Sequence, residues 1–172
     1  MAEAGPALPD GVRYARPEDV PDVLRLIRAL ADYEREPDAV ETTEDDLHRW
    51  VFGEDAVASV LVAESGGRVV GMALWFTTYS TWKGVPGLYL EDLFVEPAAR
   101  GTGLGRSLLQ ALARIAVDRG YARVEWVVLD WNTPSIDFYE AIGARPLDEW
   151  RTFRLTGRPL AELGATEDVR SQ

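Results

Sequence analysis

Six residues, Arg100-Gly101-Thr102-Gly103-Leu104-Gly105, constrain this chain most, because they stand directly between a strand pattern and a helix pattern. Glycine lets the backbone turn tightly and approach a ligand with no Cβ in the way. The N–H groups that open the following helix point into the same space, where the helix dipole favours an anion. A pyrophosphate suits such a turn, although a plain tight turn would use the same residues. The motif is not a Walker loop, because no Lys-Ser or Lys-Thr follows its last glycine, and its Gly-x-Gly-x-Gly spacing is not the Rossmann Gly-x-Gly-x-x-Gly.

Around this turn the hydrophobic pattern changes period repeatedly. A short strand is expected at residues 12–15, then a helix opened by Pro17, with Val20, Val23, Leu24, Ile27, Leu30 and Ala31 at helical spacing. Thr42 or Thr43 can cap a second helix ahead of Leu47, Trp50 and Val51. Residues 57–63 and 69–78 read as strands joined at Ser65-Gly66-Gly67, and residues 88–95 as a third. Residues 104–119 form an amphipathic helix stopped by Gly120, and 124–129 a continuous apolar strand of the fully buried kind. A short helix opens at Thr133-Pro134 and closes at Gly143, and two short strands follow at 144–149 and 150–155. The order predicts an α/β fold, a mixed central sheet with helices on both faces. Residues 1–10 are expected to be flexible and 11–172 to form a single domain.

Charge and composition narrow the partners. The formal net charge is −11, which disfavours nucleic acids and anionic membranes and is compatible with a cationic substrate. With no cysteine and a single histidine, disulfides, thiolate nucleophiles and the usual zinc sites are not expected. No apolar run approaches the roughly 20 residues that span a bilayer, and the start lacks a signal-peptide pattern, so a soluble cytoplasmic protein is expected. His48 reads as a solvated surface residue and Trp126 as core.

Two further segments carry chemistry. Strict alternation in the third strand puts Tyr89, Glu91, Leu93 and Val95 on one face and Leu90, Asp92 and Phe94 on the other. Neither carboxylate is cheap to bury unpaired, so an arginine, an ordered water or a substrate is expected beside one of them. Asn132 follows the apolar strand at the mouth of the sheet, where α/β folds gather ligands, and Ser135 and Tyr139 share one face of the next helix.

The Arg-Gly-x-Gly-x-Gly turn after a Leu-Phe-Val strand, followed by Asn132-x-Pro134-Ser135-Ile136-x-Phe138-Tyr139 before Gly143-Ala144, resembles the GNAT superfamily of acetyl-CoA-dependent N-acetyltransferases. Leu30-Ala31-x-Tyr33-Glu34, Tyr79-x-x-Trp82 and Tyr89-Leu90-Glu91-Asp92 resemble its spermidine/spermine (diamine) and thialysine branch. The resemblance implies a GNAT fold, its sheet splayed at the cofactor site. It implies that Leu93 and Val95 offer backbone groups to the pantetheine arm of acetyl-CoA. Arg100, Gly101, Thr102, Gly103, Leu104 and Gly105 would then hold its pyrophosphate, with Asn132 and Ser135 contacting it further on. Tyr139 matches the general acid and Glu91 the residue that handles the amine proton, with no metal. Asp32, Glu34, Tyr79, Trp82, Glu91 and Asp92 would bind a polyamine or diamine, although Lys83 sets a positive charge beside that pocket. The relatives of this branch imply a homodimer. Other acceptors, a thialysine-like amino acid, an aminoglycoside or a protein N-terminus, remain open, as does a non-catalytic acyl-CoA sensor. The segment Trp150-Arg151-x-Phe153-Arg154 resembles a late strand of the branch, suited to packing or a dimer edge.

Overall fold

The computed structural model describes residues 7–165, so the first six residues of the expected flexible start and the last seven of the chain lie outside it. The chain divides into two compact units, Met1–Val127 and Val128–Gln172.

In the first unit, strand β1 (Val12–Tyr14) leads through a 3-10 turn at Pro17–Asp19 into helix α1 (Val20–Glu34). Arg13 ties this start together, donating to both carboxylate oxygens of Asp19 at 2.6 and 2.9 Å and to Glu64 at 2.5 Å. Helix α2 (Glu44–Leu47) is capped by Thr43, whose hydroxyl accepts the Asp46 N–H at 3.2 Å, and runs on into a π turn. Strands β2 (Ser59–Ser65) and β3 (Arg68–Ser80) form a hairpin across Gly66 and Gly67, both at positive φ, as a two-residue turn of matching twist requires. Strand β4 (Val85–Val95) pairs antiparallel with β3. Helix α3 (Leu104–Asp118) crosses over to β5 (Val124–Glu125), which runs parallel to β4, so the sheet is mixed in the order β1-β2-β3-β4-β5.

Helix α1 buries Val20, Val23, Leu24 and Leu26 against Val60, Val62, Met72 and Phe94 of the sheet, and Leu47 of α2 joins them. The other sheet face carries Leu61, Ala63, Ala73 and Trp75, and α3 packs there through Leu108, Leu112 and Ile115. The expected α/β architecture with helices on both faces is therefore what the chain adopts.

Three expectations are corrected. The strand expected at 124–129 is only two residues long; Val127 is 64% and Leu129 41% exposed, because no neighbouring strand pairs with them. The late strands at 144–149 and 150–155 are irregular chain, with Phe153 91% exposed, since apolar alternation makes a strand only where a partner supplies hydrogen bonds. The second unit instead contains helix α4 (Thr133–Ala141) and an unexpected helix α5 (Gly157–Gly164). The third correction concerns β4. Its register pairs Leu74 with Asp92 and Trp75 with Leu90, so Glu91 has no partner and forms a bulge.

Candidate active site

The bulge decides where the site's side chains go. On β3, Met72, Leu74 and Phe76 share the α1 face, while Ala73, Trp75 and Thr77 share the α3 face. Leu90 and Leu93 pair with Trp75 and Ala73, and so both face α3. Tyr89, Asp92 and Phe94 pair with Phe76, Leu74 and Met72, and so face α1. Strict alternation, which separates Tyr89 from Asp92 and groups it with Leu93, is thereby overturned. The Phe76 and Tyr89 rings lie 5.1 Å apart on this face.

Asp92 is half-buried there, and its carboxyl is pushed up to about 6, first by burial and then by the negative charges of Glu91 and Glu34. Glu34, in the last turn of α1, is also half-buried and raised above the usual carboxylate range by burial. The structure therefore assembles Glu34 and Asp92 with the exposed bulge residue Glu91, and the charges acting on Asp92 are themselves carboxylates. Asp32 is exposed near the end of α1. Tyr79 and Trp82 are 63% and 88% exposed at the tip of the β3–β4 hairpin. Tyr79 lies on the β3 face opposite Leu74 and Phe76, so this arrangement does not bring it beside Asp92.

On its other edge, β4 pairs with β5 only at Leu88–Val124 and Tyr89–Glu125. β5 ends at Glu125, so beyond Tyr89 β4 continues through Leu93 to Val95 with no strand paired on that edge. The parallel pairing thus ends early in β4, between the strands where the sequence resemblance implies a splay. From Val95 the chain passes a 3-10 turn at Pro97–Ala99 and enters the glycine turn. Gly101 and Gly103 hold φ of +79° and +89°, and nothing lies within 4 Å of where a Cβ would stand on either. Their role is to reach the left-handed backbone and to leave the approach to the first turn of α3 open. Thr102 Oγ1 donates to the Ala99 carbonyl at 2.6 Å, bracing the turn. The Arg100 side chain folds back, with Nε donating to the Val95 carbonyl at 3.0 Å and the guanidinium 4.8 Å from the Tyr33 ring centroid. Tyr33 was visible in the sequence only as part of a motif; its stacking role needed the turn's geometry to appear.

In the second unit, Asn132 is 7% exposed and caps the start of α4, its carbonyl accepting N–H groups of Ser135 and Ile136, both at 3.1 Å. Ser135 and Tyr139 are half-buried, one turn apart on that helix. Among the described residues, no group of three or more His, Asp or Glu side chains is placed to hold a metal ion, and no helix is long and apolar enough to cross a membrane.

A mixed sheet whose parallel pairing ends early, with a glycine turn feeding the N-terminus of α3 beyond the end of β4, is the arrangement an acyltransferase scaffold requires. The chain belongs to the acetyltransferase (GNAT) family, which its residues 23–144 match. It is 40% identical to a thialysine N-ε-acetyltransferase of Bos taurus over 163 residues, covering 88% of this chain and 95% of that one. It is 36% identical to a human spermidine/spermine N(1)-acetyltransferase-like protein 1, across 91% of this chain and 24% of that longer protein. Among solved structures it is similar to an integron cassette protein of V. cholerae, with a TM-score of 0.76 and 28% identity, covering 90% of this chain and 97% of the other. The protein is an N-acetyltransferase, and acetyl-CoA is the acetyl donor its family uses.

Proposed function

We propose that the chain, acting as one acetyltransferase domain over residues 11–172, acetylates a primary amine of a small substrate that carries more than one positive charge. The observation that carries this reading is the half-buried Asp92 carboxyl, crowded by Glu91 and Glu34. An ammonium group set among the three relieves their mutual repulsion and offsets the cost of burying Asp92. Thialysine, the acceptor in the bovine relative's name, is an amine of this kind, and the human relative is named for its likeness to an enzyme of spermidine and spermine, which are amines of this kind too.

The cofactor-binding residues fit the donor. The open β4 edge at Leu93 and Val95 presents main-chain groups to a pantetheine amide. Residues 100–105 present backbone N–H groups and the α3 dipole to a pyrophosphate, and Asn132 and Ser135 supply polar contacts further along. Acetyl-CoA supplies the thioester acetyl group. An aliphatic amine with a pKa near 10 arrives protonated, so a route for its proton is required. Glu91, exposed at the bulge, accepts that proton through water, while Asp92 and Glu34 hold the substrate's charge. Tyr139 donates the proton that the leaving thiolate needs.

The protein is further proposed to be a cytoplasmic homodimer; exposed Trp150 and Phe153 support self-association, and sedimentation of the purified chain measures it. Thiol release from acetyl-CoA, measured against thialysine, lysine, putrescine, spermidine, an aminoglycoside and a peptide, tests the activity. Turnover confined to the aminoglycoside or the peptide would overturn the small-diamine reading.

A further inference from the structure

One charged pair on the same sheet face takes no part in the reading above. Parallel pairing of Tyr89 with Glu125 puts Glu125 on the α1 face, and Arg123, two residues earlier, shares it. Arg123 Nε meets Glu125 Oε2 at 2.6 Å, and the Arg123 side chain has no other hydrogen bond or ion pair among the described residues. Its stem lies across β4 above Gly87. A Cβ on that glycine would stand 3.0 Å from Arg123 Cγ and 3.0 Å from Thr78 Oγ1, so the glycine lets the stem lie close to the strand. The Arg123 side chain therefore runs close over Gly87 with Nε on Glu125, and its Nη donors are left for a partner. Arginine's donor fork matches a carboxylate in two parallel hydrogen bonds.

The spacing to the carboxylate cluster is set by the ladder. The Tyr89–Glu125 row and the Asp92 row are two β3 residues apart, Phe76 to Leu74, or about 7 Å at a strand's rise. One strand spacing of about 4.8 Å separates β5 from β4, which sets Glu125 about 8 Å from Asp92 along the ladder; Arg123 starts two residues further off, beside Gly87, and its Nε returns to Glu125. An extended α,ω-diamino acid of ornithine or lysine length spans about 6–8 Å from its terminal nitrogen to its carboxylate, since each bond of about 1.5 Å advances the zigzag chain by only about 1.25 Å. Its head group carries one negative and one positive charge side by side, as Arg123 and Glu125 do in reverse.

We propose that Arg123 and Glu125 read the zwitterionic head of an α,ω-diamino acid, Arg123 taking the carboxylate and Glu125 the α-ammonium, while the terminal amine lies at Asp92. This makes the pair a specificity device that favours diamino acids over polyamines, which offer Arg123 no anion. The inference rests on the amine-acetylating reading of Glu91 and Asp92. The test uses the full-length protein and its R123Q and E125Q variants, with thermal melts confirming that each folds. Initial rates are measured with thialysine, lysine, lysinamide, 6-aminohexanoate and putrescine. R123Q is expected to lower kcat/KM for thialysine and lysine about 10- to 100-fold, mainly through KM, the loss of a charge-assisted contact, and to leave lysinamide and putrescine within about twofold. E125Q is expected to weaken lysine relative to 6-aminohexanoate, which lacks the α-amine. An equal fall on every amine, or an unchanged preference, overturns the inference while leaving the acetyltransferase reading intact. If the unsubstituted protein turns over none of these amines, the reading of the site fails, and the inference with it.

Discussion

Replacing Asp92 by Asn should make the protein more stable at neutral pH and less active. The folded Asp92 carboxyl titrates at about 6, against 3.8 in an unfolded chain, because burial and then Glu91 and Glu34 disfavour its charge. As pH rises, the unfolded chain releases this proton first, so the folded state binds more protons between these two values and loses stability across that window. At 1.36 kcal/mol per unit, and discounted for a group that is only half-buried, the cost at pH 7.5 is about 2–3 kcal/mol. At pH 4, where the folded carboxyl is protonated, it falls to about 0.5 kcal/mol. Asn removes the charge and keeps the shape. In a chain of this length, where 1 kcal/mol moves Tm by about 2–4 °C, the variant should melt about 4–12 °C higher at pH 7.5 and nearly level with the parent at pH 4. Urea or thermal unfolding at the two pH values reads this directly. A variant no more stable at pH 7.5, or stabilised equally at both, refutes the account of Asp92. Thiol release should fall in the same variant, a stability gained by giving up a functional charge.

Tyr139→Phe is expected to cut kcat by about 10²- to 10⁴-fold with little change in acetyl-CoA affinity; a loss confined to KM removes the acid role. Gly103→Ala places a side chain at φ +89°, a strain of about 1–2 kcal/mol, and should weaken acetyl-CoA binding in calorimetry more than it lowers the melting temperature. Leu26→Ala empties a fully buried position under α1 and should cost about 2–5 kcal/mol in urea unfolding, with kcat per folded molecule retained.

The elements that carry their own pattern were legible in the sequence. The periodicity of α1 and α3 located both, and Gly66-Gly67 placed the hairpin, because helical spacing and positive-φ turns are local properties. What failed depended on a neighbour. The apolar run from Val124 shows that the segment favours burial, but its strand ends where pairing with β4 ends, at Glu125. Residues 144–155 alternate as a strand does and still lack a partner. The same limit hid Arg123: its stem runs close over Gly87, a fact belonging to two segments some 35 residues apart.

In β4 the sequence held a trace of what the structure does, in the form of two adjacent carboxylates in an apolar strand. With Leu88 and Leu90 facing α3, strict alternation would send Asp92 into the same layer as Trp75 and Leu112, where an unpaired charge costs several kcal/mol. It would also turn Leu93 out of that layer. One extra residue at Glu91 reverses both outcomes, since a single-residue slip flips every side chain beyond it. Leu93 enters the α3 layer, and Asp92 joins Glu34 on the α1 face at a cost the protein can bear, a carboxyl raised to about 6 rather than a charge sealed in hydrocarbon. The bulge therefore keeps the core apolar and gathers the negative charge on one face by the same step, and the strand's apparent misfit in sequence is what marks that face as the place to seek an amine.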